Sequence, residues 1–231
     1  MKLSLRAIEL CRRKWGKGLF YGFENIDKSI LESVSKEKVR EDFDVLTQNG
    51  IIDFCDGEIH ISALGHHIFN MMHEPEQYIT LSNEVNGICV RVYIRDAYYL
   101  CVIADKTIKE DDEDGRYIIK LLPKLDFVIG SFVHALYCEE KRTLERGDMR
   151  KETKQDIQIE GKSWNKNGEV ISEIMILGNY QLDGVYWKSI EKFEGYECKK
   201  EEFEGEISQL VNEVTKWLFQ KISIVNKKEV C

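Results

Sequence analysis

The stretch that most constrains the fold runs from Gly87 to Pro123, GICVRVYIRDAYYLCVIADKTIKEDDEDGRYIIKLLP. Its β-branched and aromatic residues fall into three runs, Ile88–Ile94, Tyr98–Ala104 and Tyr117–Leu122, with polar residues gathered between them. That partition predicts three strands, because strands favour side chains that fit a pleated, half-buried surface and turns take the rest. The first two runs meet at a tight Arg95-Asp96 turn, and an acidic loop, Asp111 to Gly115, leads into the third. Arg91, Arg95 and Asp105 sit among apolar neighbours, so the sheet is expected to have one covered face and one partly wet face.

Ahead of this meander, Leu3–Lys14 carries Leu3, Ala7, Ile8, Leu10 and Cys11 at helical spacing. Gly16 and Gly18 end that helix, and Leu19–Phe23 reads as a short aromatic strand. A second helix is predicted over 28–48, with Ile30, Leu31, Val34, Val39, Phe43 and Leu46 inward and Ser35 placed to cap a local restart. Asn49-Gly50 closes it. Two short β runs in IIDFCDGEIHIS meet at Asp56-Gly57, a hairpin signal, and Ala63–His73 follows as a helix.

Beyond the meander, Lys124–Arg146 reads as a helix with an apolar stripe through Leu125, Val128, Ile129, Phe132, Val133 and Leu136, and a charged extension after it. Three further β runs, Asp156–Ser163, Val170–Leu177 and Gln181–Glu191, are predicted, the first two joined at Asn167-Gly168. Lys200–Ile222 reads as the last helix, on Phe203, Ile207, Leu210, Val211, Val214, Trp217 and Leu218. Three strands and then a long helix thus occur twice, at 88–146 and 156–222. The expected fold is α+β: an antiparallel sheet from two three-stranded meanders, flanked by helices and pseudo-twofold. A single compact domain, 1–231, is expected, with an N-terminal helical, winged-helix-like part (1–83), a first meander plus helix (84–149) and a second (150–231).

Chemistry is hard to find in this chain. His66 and His73 share a helical face near Glu74 and Glu76, but neither HExxH nor HxxEH spacing occurs, and a surface helix is the simpler reading. His134 and Cys138 lie four apart, as residues flanking a core stripe also do. The acidic KEDDEDG at 109–115 lacks the alternating ligand pattern of a calcium loop. No GxSxG, phosphate-binding or dinucleotide-binding motif is present. No residue is therefore assigned a catalytic, cofactor-binding or metal role, and no cofactor is expected. Trp15, Trp164, Trp187 and Trp217 read as core or edge residues, with Trp164 or Trp187 as a candidate exposed contact.

Seven cysteines, an odd number without a CxxC pair, suit reduced cytoplasmic thiols. The N-terminal segment has no contiguous apolar core, so no signal peptide is expected, and no run approaches the roughly 18 apolar residues of a membrane span. A net charge of −8 disfavours nonspecific attraction to nucleic acid. Helix, hairpin and helix over 37–73 is also the order of a winged helix, but the helix before the hairpin sets Lys38 and Arg40 against Glu37, Glu41, Asp42 and Asp44. A DNA-reading helix needs the opposite balance.

The segment VREDFDVLTQNGIIDFCDGEIHISALGHHIFNMMHEPEQYITLS resembles the N-terminal half of the EspG-type chaperones of type VII secretion. Leu46, Gly50-Ile51, Asp56-Gly57, Leu64, Ile68-Phe69, Glu74-Pro75 and the strand Tyr78–Leu81 follow that family's progression, and a meander and helix come next as they do there. The chain departs from the family in being short and in using Lys, Glu and Ile where the family uses Ala, Arg and Leu. The resemblance implies an EspG-like central sheet between two helical bundles and a cytoplasmic, non-enzymatic chaperone. Its partner would be a secreted α-helical hairpin protein, a type VII substrate, gripped before export. Partner-binding residues do not transfer, since the family has no binding motif to match; residues 170–190 and the exposed face of the last helix are the expected location. The competing classes are an immunity protein neutralising one cognate toxin, a winged-helix-containing regulator, and a small-molecule or nucleotide-binding protein.

Overall fold

In chain order, the computed structural model begins with β1 (Lys2–Ser4), α1 (Leu5–Trp15), α2 (Lys36–Gln48), β2 (Ile52–Cys55), β3 (Glu58–Ile61) and α3 (Ala63–His73). Next come β4 (Gln77–Asn83), β5 (Ile88–Arg95), β6 (Tyr98–Ala104), β7 (Arg116–Leu122) and α4 (Leu125–Leu136). The chain ends with β8 (Ile157–Trp164), β9 (Val170–Gln181), β10 (Gly184–Phe193), β11 (Tyr196–Gly205) and α5 (Ile207–Lys228). The described residues are 1–24, 28–31, 34–84, 87–104, 116–136, 156–181, 184–193 and 196–228. The acidic loop at 109–115, Asp105, the charged extension past Leu136 and Cys138 lie outside them. Two compact units result, one of residues 1–75 and 91–123, the other of 76–90 and 124–231. The α+β class with a large antiparallel sheet is as expected.

In the first unit the strands are ordered β1-β7-β6-β5, and β2 and β3 form a separate hairpin. The helices start where the sequence supplies caps. Ser4 accepts from the Ala7 amide at 2.9 Å, Ser35 from Lys38 and Ser62 from Gly65. Each satisfies a backbone donor that the first turn leaves open. Ser35 divides the predicted helix over 28–48 into a 3-10 turn at Lys28–Leu31 and α2. Ser4 Oγ also donates to Asp42 Oδ1 at 2.7 Å, while Arg6 Nε donates to Asp42 Oδ2. All three residues are buried, so this charged tie from the start of α1 to α2 holds because both carboxylate oxygens are bonded.

Two expectations fail in this unit. Leu3 and Ser4, expected to begin the first helix, belong instead to β1, which pairs with β7 through Leu3↔Tyr117. Leu19–Phe23, read as a strand, is irregular: Gly18 and Gly22 hold φ of 145° and 77°, which an extended run does not accept. Phe20 and Phe23 are buried there all the same, Phe20 stacking on Phe69 at 5.4 Å. The turn between β5 and β6 is carried by Asp96 and Ala97, both at positive φ, one residue later than read.

The second unit orders its strands β5-β4-β8-β9-β10-β11, β5 contributing residues 88–90. Its last meander has four strands, not three: Tyr196–Gly205, whose second half the helical spacing of the sequence assigns to the last helix, is β11, paired antiparallel with β10. The helix begins at Ile207. Registers align residues in rows across the strands. One face carries Gln77·Ser163·Ser172, Ile79·Gly161·Ile174, Leu81·Ile159·Ile176·Ser189 and Asn83·Ile157·Gly178·Trp187. These residues are buried, and the helices cover them. Asn83 Nδ2 donates to the Ala135 carbonyl near the end of α4 at 2.8 Å, closing an orphan helix acceptor. From α5, Trp217 lies against Gly161 and donates its indole N–H to Ser172 Oγ at 3.2 Å. Leu81 and Ile159 line an apolar seam with Ile129 and Phe132 of α4 and Val214 and Leu218 of α5.

Candidate functional site

Because strand side chains alternate between faces, the residues between those rows point to the opposite side of the second unit's sheet. Their registers give Tyr78·Lys162·Glu173, then Thr80·Glu160·Met175·Ile190, then Ser82·Gln158·Leu177·Lys188. Met175 stands directly opposite Ile190, with Leu177 two residues along the same strand. These three apolar side chains form the centre of a patch. Met175 is 37% exposed, and Leu177 and Ile190 are half-buried.

Polar and charged residues ring this centre. Lys162 Nζ lies 3.3 Å from Glu173 Oε1, a cross-strand ion pair on one side. Such a pair in water contributes about 0–1 kcal/mol, so its effect is to set the charge pattern more than to hold the sheet. Gln158 donates to Glu160 on the β8 side. Toward the β4–β5 edge, Thr80 and Ser82 hydroxyls lie 3.8 and 3.7 Å from Cys89 Sγ. An apolar centre inside a polar rim is the anatomy of a protein–protein contact.

The two regions singled out from sequence as contact candidates are thereby separated. Residues 170–190 supply Met175, Leu177, Lys188 and Ile190 to the open face. On α5, Trp217 and Leu218 are buried against the other face, which turns the exposed Asn212, Lys216 and Phe219 away from the sheet. The patch and the exposed side of α5 therefore lie on opposite sides of this unit. Of the tryptophans, Trp187 is buried on the covered face and Trp164 is half-buried.

The first unit places the remaining candidates. His66 Nδ1 accepts from Trp15 Nε1 at 3.2 Å, and the His73 ring meets Trp15 edge-on with centroids 5.2 Å apart. His73 Nδ1 also lies 2.8 Å from the Leu19 carbonyl, so both histidines pack around one tryptophan. Among the described residues no three His, Cys, Asp or Glu side chains converge as metal ligands. In α2, Lys36, Glu37, Arg40, Glu41 and Asp44 are exposed, two cations among three carboxylates, while Asp42 is turned inward to Arg6. Glu9 is buried, which works against its charge, but hydrogen bonds from Arg12 and Arg13 hold its carboxyl below the ordinary range. Burial, with the Asp42 charge adding to it, pushes the Cys11 thiol up to about 12. Among the described residues no helix is long and apolar enough to cross a membrane.

No protein-family model matches this chain, and no curated protein matches it.

Proposed function

We propose that this protein is a non-enzymatic chaperone or adaptor that binds an α-helical partner before export, as its resemblance to EspG-type chaperones implies. The observation that carries the reading is the apolar centre Met175, Leu177 and Ile190, rimmed by Lys162, Glu173, Glu160 and Lys188 on the open sheet face. A helix with one apolar stripe needs a matching apolar strip to leave water, and charges beside the strip fix its register. The sheet presents both on β8, β9 and β10, each paired with a neighbour on either side. The partner class is a small secreted helical hairpin, and the site of action is the cytoplasm.

The test is capture by the tagged full-length chain from its native cells, with the bound species identified by mass spectrometry. A stoichiometric small helical exported protein is the expected result. Recovery of a cognate toxin instead would replace the chaperone reading with that of an immunity protein, and recovery of DNA would replace it with that of a regulator.

A further inference from the structure

We infer that α5 is a releasable strap on the second unit's sheet, held at a pin and laid over buried polar atoms that find no hydrogen-bond partner among the described residues. Beneath it, in the otherwise apolar row Leu81·Ile159·Ile176·Ser189, the Ser189 side chain is fully buried and its Oγ has no hydrogen-bond partner among the described residues. Two residues along β10, Trp187 is 2% exposed and its Nε1 is likewise unpartnered. Both lie on β10, against which α5 packs. A third residue on the same face, Gln77, is 5% exposed, and neither atom of its amide is bonded among the described residues. Its row holds Ser172, on which Trp217 is pinned.

Buried polar groups are nearly always hydrogen-bonded, and each exception raises the free energy of the closed state. Release of the strap lets water reach these atoms, so it recovers part of what exposing α5's apolar side costs. The seam between α4 and α5 adds to this, being an apolar void of about 10 Å³ lined by Ile129, Phe132, Val214 and Leu218. A void of that size forfeits dispersion contacts and is marginal for even one water. Against these stands the pin, Trp217 seated on Gly161 with its N–H on Ser172. The result is an element that opens locally at lower cost than the strands beneath it.

Hydrogen exchange on the intact chain, read by mass spectrometry, tests it. Amides of α5 over 207–219 are expected to exchange faster than those of β8 and β9. Ser189→Ala removes an unpartnered hydroxyl with little change in volume and is expected to slow α5 exchange about fivefold while leaving β8 and β9 unchanged. Trp217→Phe removes the pin's N–H and is expected to speed exchange in α5 alone. Equal protection of α5 and the strands in the wild type overturns the inference, and so does a Ser189→Ala variant whose α5 exchanges as fast as the wild type or faster.

Discussion

Gly161→Ala is a sharp test of how the second unit is packed. A Cβ built on Gly161 falls 2.8 Å from Trp217 Cη2, 2.9 Å from Trp217 Cζ3 and 2.9 Å from Ile174 Cγ2. Real Cβ atoms do not sit so close, so either the indole or the strand must move. The indole has little freedom, because Trp217 is fully buried and its N–H is committed to Ser172. Overpacking of a tight core costs about 1–3 kcal/mol, and a strained or lost hydrogen bond adds about 1 kcal/mol. The alanine stiffens the unfolded chain, which returns about 0.4–1 kcal/mol. The net destabilisation is about 2 kcal/mol, equivalent to a fall in Tm of roughly 4–8 °C for a chain of this size. Thermal unfolding followed by near-ultraviolet circular dichroism reads it directly. The atoms struck belong to the outer ring of the indole, which phenylalanine lacks, so Trp217→Phe should relieve the clash. The double variant is then expected to be less destabilised than the sum of the singles, a favourable coupling of at least about 0.5 kcal/mol. A Gly161→Ala protein as stable as the wild type, or strict additivity in the cycle, would refute the packing described for α5.

Two further outcomes follow from the first unit. Under native conditions at pH 8, an alkylating reagent should modify the exposed Cys55 and spare Cys11, whose burial, aided by the Asp42 charge, pushes its thiol up to about 12; residue-resolved mass spectrometry checks this, and rapid labelling of Cys11 in the folded chain would contradict it. Glu9 is held below its ordinary 4.5 by Arg12 and Arg13 despite burial, so its contribution is present above that value and lost as the pH falls through the lower folded one; denaturant unfolding should show Glu9→Gln costing stability at pH 7 and progressively less as the pH falls below 4.5.

How much of this could be read from sequence depended on whether a signal was local. Asp56-Gly57 and Asn167-Gly168 marked their hairpins because positive φ is a property of the turn residues themselves. Tyr98–Ala104 and Ala63–His73 came out at their observed bounds, each being a periodic run between clear breakers. The misreadings arose where pairing overrode local pattern. Tyr196–Gly205 is rich in Lys and Glu, good helix formers, and Phe203 falls in phase with the stripe of α5; its register with β10 makes it a strand. Lys2–Ser4 is too short to show alternation and is a strand only because β7 lies beside it.

The candidate face was legible as a region and not as a site. The sequence points to residues 170–190, but nothing in their order shows Met175 opposite Ile190 or Glu173 beside Lys162, since register is set by the whole sheet. For the same reason the exposed side of α5 and the open sheet face could be taken together, although alternation along β9 assigns them to opposite sides. The polar atoms beneath α5 were also invisible beforehand. A serine in a β run reads as solvent-facing until its row is known.

The central claim, that the open sheet face binds the helical partner, is tested most directly by comparing Met175→Asp with Phe219→Asp in capture of the partner by the tagged chain. Both side chains are exposed, at 37% and 52%, so neither change disturbs the core. A charge at Met175 places an unpaired carboxylate in the centre of the patch, and loss of the partner with folding intact is the predicted result. Phe219→Asp, on the other side of the sheet, is predicted to retain it. Retention by Met175→Asp together with loss by Phe219→Asp would contradict the account and move the binding site to the outer face of α5.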